Sequence, residues 1–528
     1  MKKLWEKWGK KDIESCIFLL FLLAAAFYYG WRLFALTPWY DELYTYYYFI
    51  SRGPIYAAIH WPLPNNHVGY SVLSALLDLF GNAAVGLRGI SWIASLISMC
   101  LLFMIGKKCF PKCFALVPVC LYASMGLVNQ LAVQGRGYAL ATCLYLTALY
   151  ELIEIILFHK ERKRHYIIMA CAFIWALYTL PSSVYFVLPL CCIGGSFLLL
   201  EKRKKEFLRL FVTALISAVC TIGLYTVIWL AIGSNLLSKT PDSPWYGQGH
   251  VSIILHARFT ALKTGIEYML DTPYIQSVAR KGYLSSFGTW IKALFEYYYA
   301  GLSVPLLIIV CVGIILTVAV TFKFVSYKKE QEGFLEWYLL LSFLFTPLML
   351  IIQAALPYYR VFSFFGIPVA MMLTWIFSRI VKLCKKPQLT YGFVVFAVLF
   401  CIGVTAQPSG FAQYSDREAA IEDAYDHMDL QNGGRVCVTD CDQEYLMKYL
   451  YDIEDVSYVP QEAVYVLLDK DLFHSSKDPD RINSPDEWKW YVTYEELPWD
   501  YLEGEMQILY ENDRFVLYGK KVLNESAY

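Results

Sequence analysis

The sequence predicts a mostly α-helical, polytopic membrane protein with a small extracytoplasmic α/β domain at its C-terminal end. Three observations support this fold class. The 528 residues are 58% hydrophobic and only 17% charged, and the apolar residues form long, nearly uncharged runs. Lys and Arg cluster beside alternate runs. Beyond residue 406 the chain becomes rich in Asp and Glu and has no run long enough to span a bilayer.

The apolar runs predict about eleven transmembrane helices, since a bilayer core needs about 20 apolar residues in a helix. They cover residues 16–36, 85–105, 114–132, 138–158, 166–180, 183–200, 207–232, 304–322, 335–356, 361–377 and 391–405. A shorter run at 68–80 carries Asp78 and is predicted to be a re-entrant or interfacial helix. Counting it as a span would put most Lys and Arg outside, against the positive-inside rule.

The charge pattern predicts a cell-membrane protein with a cytoplasmic N-terminus, because the first apolar run follows basic residues and is too long for a signal peptide. A transmembrane domain then covers residues 1–406, with large outer loops at 37–84 and 233–303. An extracytoplasmic α/β domain covers residues 407–528. The net charge is zero, so no overall field indicates nucleic acid as a partner.

Short strand and helix patterns in the tail predict the α/β domain. They are a strand at 435–440, a helix at 443–451, a strand at 463–469 and a hairpin at 506–522 that turns at Asn512-Asp513. Cys437 and Cys441 lie four residues apart on the outer side. A disulfide between them is one alternative, although a strand-to-turn separation need not meet the required geometry.

Two polar clusters lie in the first predicted outer loop. Asp41 and Glu42 follow the first span, and paired acids there could supply a general base and an acceptor-positioning group, or hold a divalent cation. Asn66 and His67 precede the short helix, and His67 could donate to a phosphate or ligate a metal. The alternative for both clusters is helix capping.

Two arginines lie beside tyrosines in short outer turns: Arg136 with Tyr138, and Arg360 with Tyr359. Arginine is permanently charged and its fork fits a phosphate. The alternative is snorkelling to lipid headgroups. Together with the acids and His67, these residues place charge on one face of the bilayer, a pattern that suits a lipid-phosphate substrate. No glycine-rich nucleotide-binding motif appears.

The order of these motifs resembles the C-type glycosyltransferase superfamily, in its branch of protein O-mannosyltransferases and aminoarabinose transferases. Asp41-Glu42, Asn66-His67, Leu87-Arg88, Arg136-Gly-Tyr138 and Tyr359-Arg360 follow one another along the chain. The sequence departs from many relatives at Val68-Gly69, where prolines are frequent, and after the predicted fifth span, where a His is frequent.

The resemblance implies transfer of a monosaccharide, hexosyl or pentosyl, from a polyprenyl-phosphate carrier to an acceptor hydroxyl on the outer face, with inversion. Asp41 would be the catalytic base and Glu42 would help orient the acceptor. His67, Asn66, Arg136, Tyr138, Tyr359 and Arg360 would bind the substrate or its lipid phosphate. The acceptor, whether lipid, polymer or protein, stays open.

The resemblance implies no firm cofactor, because the mannosyltransferase branch generally works without a metal. A divalent cation stays open as an alternative, since some C-type branches use one and Asp41, Glu42 and His67 have suitable ligand atoms.

Two other function classes compete with the glycosyltransferase hypothesis. A transporter or flippase of a lipid-linked sugar would need polar residues at mid-membrane depth, where the sequence offers few besides Gln353. A non-catalytic scaffold would use its tail to bind a wall polymer or a partner protein.

Overall fold

A computed structural model of the chain describes residues 13–60, 66–159, 162–271, 276–327, 333–407, 415–429, 434–471 and 494–521. The basic N-terminal residues before position 13 lie outside these ranges. The chain divides into two compact units. The helical unit comprises Met1–Phe34 and Phe49–Phe411, and the C-terminal unit comprises Ala35–Tyr48 and Ala412–Tyr528.

Helices dominate the described residues, which confirms the predicted fold class. The α-helices are α1 (Ile13–Ala35), α2 (Tyr40–Thr45), α3 (Pro54–Ile59), α4 (Val68–Asp78), α5 (Ala83–Cys109), α6 (Leu116–Ala123), α7 (Gly126–Leu131), α8 (Tyr138–Leu157), α9 (Lys163–Thr179), α10 (Val184–Leu200), α11 (Lys204–Lys239), α12 (His250–Asp271), α13 (Tyr283–Tyr298), α14 (Ser303–Tyr327), α15 (Phe334–Gln353), α16 (Gly366–Cys384), α17 (Leu389–Thr405), α18 (Asp416–Tyr425), α19 (Cys441–Tyr451) and α20 (Trp499–Glu505). The strands are β1 (Gln276–Ser277), β2 (Ala355–Leu356), β3 (Val436–Cys437), β4 (Val456–Ser457), β5 (Tyr465–Asp469), β6 (Met506–Glu511) and β7 (Phe515–Lys520).

Within the described ranges, eight helical segments are long and apolar enough to cross a membrane, so the protein is a multi-pass membrane protein. The predicted span at 114–132 divides into α6 and α7, because Met125 has an extended backbone conformation. The predicted spans at 166–180 and 391–405 form α9 and α17, each 17 residues long. The count of eleven spans therefore stays a prediction. The short helix predicted at 68–80 is present as α4, with 11 residues.

The long helix α11 packs against α12 through two glycines at which the helices nearly touch. A Cβ at Gly233 would meet the Ala261 carbonyl oxygen at 1.7 Å, and one at Gly265 would meet the Trp229 carbonyl oxygen at 2.0 Å. Small residues at helix crossings let backbones approach closely, as is usual between membrane helices. Within the predicted 233–303 loop, residues 233–239 therefore continue α11, and residues 250–271 form α12.

Buried acids in the helical unit are paired with bases on neighbouring helices. Glu14 on α1 lies 2.8 Å from the Lys107 ammonium on α5, and Glu151 on α8 lies 2.5 Å from His165 Nδ1 on α9. Similar pairs join Lys108 to Glu154 and Arg379 to Glu336. Charges at membrane depth are costly unless they are paired, so these contacts account for acids within apolar helices.

The C-terminal unit contains a five-stranded sheet in the order β4-β3-β5-β7-β6. β3 is parallel to both β4 and β5, whereas β5–β7 and β7–β6 are antiparallel. The predicted hairpin is present, and its turn is closed by Asn512, whose Oδ1 accepts from the Arg514 and Phe515 amides at 3.0 and 2.8 Å. The predicted 435–440 strand is shorter, because the chain turns into α19 at Cys441. Cys437 and Cys441 are both free thiols.

One arginine joins α18 to the carboxyl ends of the parallel strands. Arg417 Nη2 lies 2.6 Å from Asp440, which follows β3, and 3.2 Å from Asp469, which ends β5. Its Nη1 lies 2.5 Å from Asp442, in the first turn of α19. The three carboxylates hold the pKa of Arg417 well above its usual value, against the effect of burial. The guanidinium therefore neutralises a strongly acidic sheet edge.

Replacing Arg417 by Ala should destabilise the C-terminal unit by about 3–5 kcal/mol, because it leaves several carboxylates close together without their cation. The measurement is the rate at which a maleimide alkylates Cys437, whose side chain is fully buried, followed by peptide mass spectrometry on the full-length protein. Faster labelling of Cys437 is the expected result.

Arg435→Ala is the matched control, because Arg435 also pairs with an aspartate, Asp455 at 2.7 Å, but both side chains are largely exposed. Exposed pairs contribute little to stability, so labelling of Cys437 should stay close to wild type. Equal labelling in the two variants would contradict the role assigned to Arg417.

Candidate active site

Asn66, the residue before His67, links two short helices through side-chain hydrogen bonds. Its Nδ2 donates to the Ala57 carbonyl at the end of α3 at 2.9 Å, and its Oδ1 accepts from Ser71 Oγ in α4 at 2.6 Å. The side chain is only 2% exposed. His67 occupies the cap position of α4 but makes no side-chain capping bond. Asn66 therefore fixes the path of the chain, and the His67 ring is available for other contacts.

The turn that bears Arg136 approaches His67 closely. The Gly137 amide donates to His67 Nδ1 at 2.8 Å, and a Cβ on Gly137 would lie 2.5 Å from Thr179 Cγ2 and 3.2 Å from His67 Cβ. Gly137 has an ordinary negative φ of −70°, so its backbone conformation does not require glycine. Glycine is needed because there is no room for a side chain. A larger residue would push the turn away from the imidazole.

This contact determines the tautomer of His67. A backbone N–H is always a donor, so Nδ1 must be an unprotonated acceptor, and the neutral ring carries its proton on Nε2. Arg136 Nη2, also a donor, lies 3.3 Å from Nε2. Two N–H groups therefore face each other, and an anion can accept from both.

Electrostatics agree with this assignment. Burial lowers the pKa of His67 well below its usual value, and the positive charges of Arg136 and Arg360 lower it further. Arg136 is only 2% exposed, which is unlike a side chain that snorkels to lipid headgroups. The site thus combines a neutral donor with two permanent cations. We call His67, Arg136, Tyr138 and Arg360 the cationic cluster.

Tyrosines hold the second arginine of the cluster. The guanidinium carbon of Arg360 lies 5.8 Å from the Tyr138 ring centroid and 5.0 Å from that of Tyr358. Tyr138 in turn packs edge-to-face on His67 with centroids 5.0 Å apart. The aromatic rings therefore connect the two arginines that the sequence places more than 200 positions apart.

Tyr359 turns away from this cluster toward α13. Its ring stacks on Trp290 with centroids 5.8 Å apart and packs on Tyr297 at 4.8 Å. Tyr359 and Trp290 line a groove of about 420 Å³ together with Tyr358 and hydroxyl residues of α13. β2, which pairs with β1, also contributes to this groove.

Ser91 on α5 is a supporting residue that sequence reasoning missed. Its Oγ donates to the Gln134 carbonyl at 2.6 Å and lies 3.2 Å from the Arg136 carbonyl, so it holds both ends of the Arg136 turn. Its separation from the turn by more than 40 positions leaves no local signal in the sequence.

The acidic pair lies in the C-terminal unit, where its two members differ. Glu42 is fully buried, and its Oε2 accepts from the Trp39 amide at 2.9 Å, at the start of α2. Asp41 is partly exposed, and its carbonyl accepts from Thr45 Oγ1 at 2.7 Å. Glu42, and not Asp41, thus provides the capping contact that sequence reasoning considered for the pair.

Two of the side chains considered as metal ligands make hydrogen bonds with the backbone. Within the described residues, no group of three or more His, Cys, Asp or Glu is placed to hold a metal ion. The one lone pair of neutral His67 accepts the Gly137 N–H, and Glu42 uses an oxygen to accept the Trp39 N–H. These two predicted ligands are therefore already engaged with the backbone.

A family match covers the part of the chain that holds most of the cationic cluster. Residues 67–230 match the model of the dolichyl-phosphate-mannose-protein mannosyltransferase family. The match confirms the resemblance to C-type glycosyltransferases over this segment, which begins at His67 and includes Arg136 and Tyr138. No curated protein matches significantly. The transporter alternative receives no support from the comparisons.

Two solved structures are similar over most of the chain. The oligosaccharyltransferase AglB from Archaeoglobus fulgidus, in complex with an inhibitory peptide and a dolichol-phosphate, has 11% identity and a TM-score of 0.49, covering 88% of this chain and 70% of its own. ArnT from Cupriavidus metallidurans, bound to undecaprenyl phosphate, has 14% identity and a TM-score of 0.40, covering 96% and 98%.

Replacing Gly137 by Ala should displace the Arg136 turn, because the added Cβ would lie 2.5 Å from Thr179 Cγ2. Loss of the hydrogen bond from the residue 137 amide to His67 Nδ1 should then weaken binding of a phosphate-bearing lipid to the purified protein at least tenfold. The measurement is a titration with a fluorescent polyprenyl phosphate.

Gly223→Ala is the control, since a Cβ at Gly223 in α11 would have no atom within 4 Å. Its affinity should equal that of the wild type. Wild-type affinity in Gly137→Ala would show that the close approach to His67 is not needed for anion binding.

Proposed function

We propose that the protein transfers a monosaccharide from a polyprenyl-phosphate carrier to an acceptor hydroxyl at the extracytoplasmic face of the membrane. The observation that supports this most is the pair of facing donors, His67 Nε2–H and Arg136 Nη2, inside the segment that matches the mannosyltransferase family. An oxygen of a phosphate can accept from both donors at once.

The chemistry needs a base and a stabilised leaving group. An acceptor oxygen attacks the anomeric carbon on the face opposite the phosphate, so that the new C–O bond forms as the bond to the phosphate oxygen breaks. The electron pair leaves with the lipid phosphate, and the hydroxyl proton passes to a carboxylate. The configuration at the anomeric carbon is inverted.

The cationic cluster suits the leaving group. Arg136 and Arg360 supply positive charge, and His67 donates through Nε2 without needing a second proton on its ring. Preorganised donors of this kind stabilise developing negative charge because they need no reorganisation during the reaction. The isoprenoid tail can stay in the bilayer while the phosphate binds at its edge.

Asp41 is our candidate for the base, because it is the partly exposed member of the acidic pair. Glu42 then orients the acceptor indirectly, since its carboxylate shapes the backbone around Asp41 through the Trp39 amide. The proposed reaction uses no metal.

His67 can be tested by separating its two hydrogen-bonding roles. In His67→Asn the amide oxygen can still accept the Gly137 N–H, whereas the Nε2 donor is lost. Transfer should fall by about 10²–10³-fold, as when one oxyanion donor is removed. The assay follows radiolabelled sugar from polyprenyl-phosphate-sugar in membranes, with thermal stability measured in parallel.

His67→Gln is the comparison, because its amide N–H can reach the Nε2 position while the acceptor for Gly137 is lost. It should be less stable than His67→Asn but more active per folded molecule. Full activity of His67→Asn would exclude the proposed donor role of Nε2.

Asp41→Asn should reduce sugar transfer by about 10²–10⁴-fold, the contribution of a positioned general base. Donor binding should not change, because the cationic cluster is intact. The measurement is transfer of labelled sugar together with a direct donor titration. Wild-type turnover of Asp41→Asn would refute the base assignment, and uptake of intact donor into vesicles without any transferred product would favour a flippase.

A further inference from the structure

The segment that bears Asp41 is held by side chains of the C-terminal tail. Ser415 Oγ donates to the Thr37 carbonyl at 3.0 Å, and Thr37 Oγ1 donates to the Glu422 carboxylate. The Tyr40 amide donates to Glu418 Oε1 at 2.8 Å. These contacts attach the chain on the N-terminal side of Asp41 to α18 and the residue before it. They link residues more than 370 positions apart.

Tyrosines on both sides extend this attachment beyond Asp41. Tyr47 stacks on Tyr445 of α19 with centroids 5.3 Å apart, and Tyr40 stacks on the same ring at 6.4 Å. Tyr46 packs edge-to-face on Tyr449 at 6.0 Å. Aromatic pairs of this kind stabilise a contact beyond the area that they bury. Residues 37–47 are therefore held on both flanks of the acid.

The sheet of the C-terminal unit anchors the helix that holds the Asp41 segment. The crevice at the carboxyl ends of parallel strands, where the strand order reverses, is where open α/β sheets usually bind ligands. Here β4 and β5 lie on opposite sides of β3, and Arg417 fills the corresponding edge through Asp440 and Asp469. The next residue, Glu418, holds the Tyr40 amide. The usual ligand position thus contains a side chain that anchors α18.

We propose that Glu418, Glu422 and Ser415 are positioning residues for the transfer reaction, and that the C-terminal unit fixes the backbone of the Asp41 segment by these hydrogen bonds. This inference rests on the proposed function, in which Asp41 is the base. It makes the tail part of the catalytic machinery, in place of a separate binding module.

The test compares two substitutions of Glu418 in the full-length protein. Glu418→Ala removes the acceptor of the Tyr40 N–H and should lower kcat about 10- to 100-fold, since small displacements of a reacting group have effects of this size. The KM for the polyprenyl-phosphate-sugar should stay within about twofold, because the cationic cluster is unchanged. Glu418→Gln keeps the oxygen acceptor and should retain at least half of kcat.

The conservative variant is informative because glutamine has the same length as Glu418 and keeps an oxygen that can accept the Tyr40 N–H. Thr37→Val, which removes the donor to Glu422, and Ser415→Ala are milder variants, and each should lower kcat several-fold. They keep the test decisive if Glu418→Ala does not fold.

Asp423→Asn is the matched control, because Asp423 lies on the same helix but accepts from Tyr510 and Asn512, at 2.8 and 2.9 Å. Its kcat should equal that of the wild type. Unchanged kcat in Glu418→Ala and Thr37→Val, with Asp41→Asn inactive, would overturn the positioning role and leave the proposed function intact. Equal losses in Glu418→Ala and Glu418→Gln would also overturn it. Full activity of Asp41→Asn would instead remove the base assignment on which the inference rests.

Discussion

The hydrogen bond from the Gly137 amide to His67 Nδ1 is the interaction on which the geometry of the cationic cluster depends. Because a backbone amide cannot accept, a doubly protonated His67 would direct one N–H at another. The ring is therefore held neutral with its proton on the side of Arg136. Two N–H groups therefore lie close together in a buried position, and the oxygen of an anion can accept from both.

Thr179, at the end of α9, limits how closely the neighbouring segments approach. A Cβ on Gly69 would lie 2.5 Å from its Oγ1, and a Cβ on Gly137 would lie 2.5 Å from its Cγ2. Both glycines therefore pack on one side chain, one in α4 and one in the Arg136 turn. Ser91 holds the same turn from α5. Three helices of the bundle thus determine the position of His67 and of the Arg136 turn, which lie just outside the helices, and rigid helices position such segments precisely.

Local patterns in the sequence predicted the helical bundle, the short helix before which His67 lies and the C-terminal hairpin, because apolar runs and turn residues act over a few positions. They did not predict the division of the 114–132 run into α6 and α7, since no charge marks the break at Met125. The sequence also identified the charged residues of the cluster as candidates, because a charge next to an apolar run is costly and usually has a function. The tautomer of His67 and the contacts of Ser91 and Glu418 were not, since each depends on residues brought together by tertiary structure.

The acidic pair illustrates how tertiary contacts give two adjacent carboxylates different environments. A local motif of two acids suggests two similar roles, but one carboxylate is fully buried against the backbone of its own helix and the other is partly exposed. A buried carboxylate that accepts an amide N–H stabilises the fold as a fixed hydrogen-bond acceptor. A general base, in contrast, must reach its substrate in order to take a proton from it. Since the Tyr40 amide, one residue before Asp41, is held by Glu418, a third carboxylate shares the structural task. Glu42 and Glu418 thus shape the backbone beside Asp41, which is the partly exposed acid that we propose as the base.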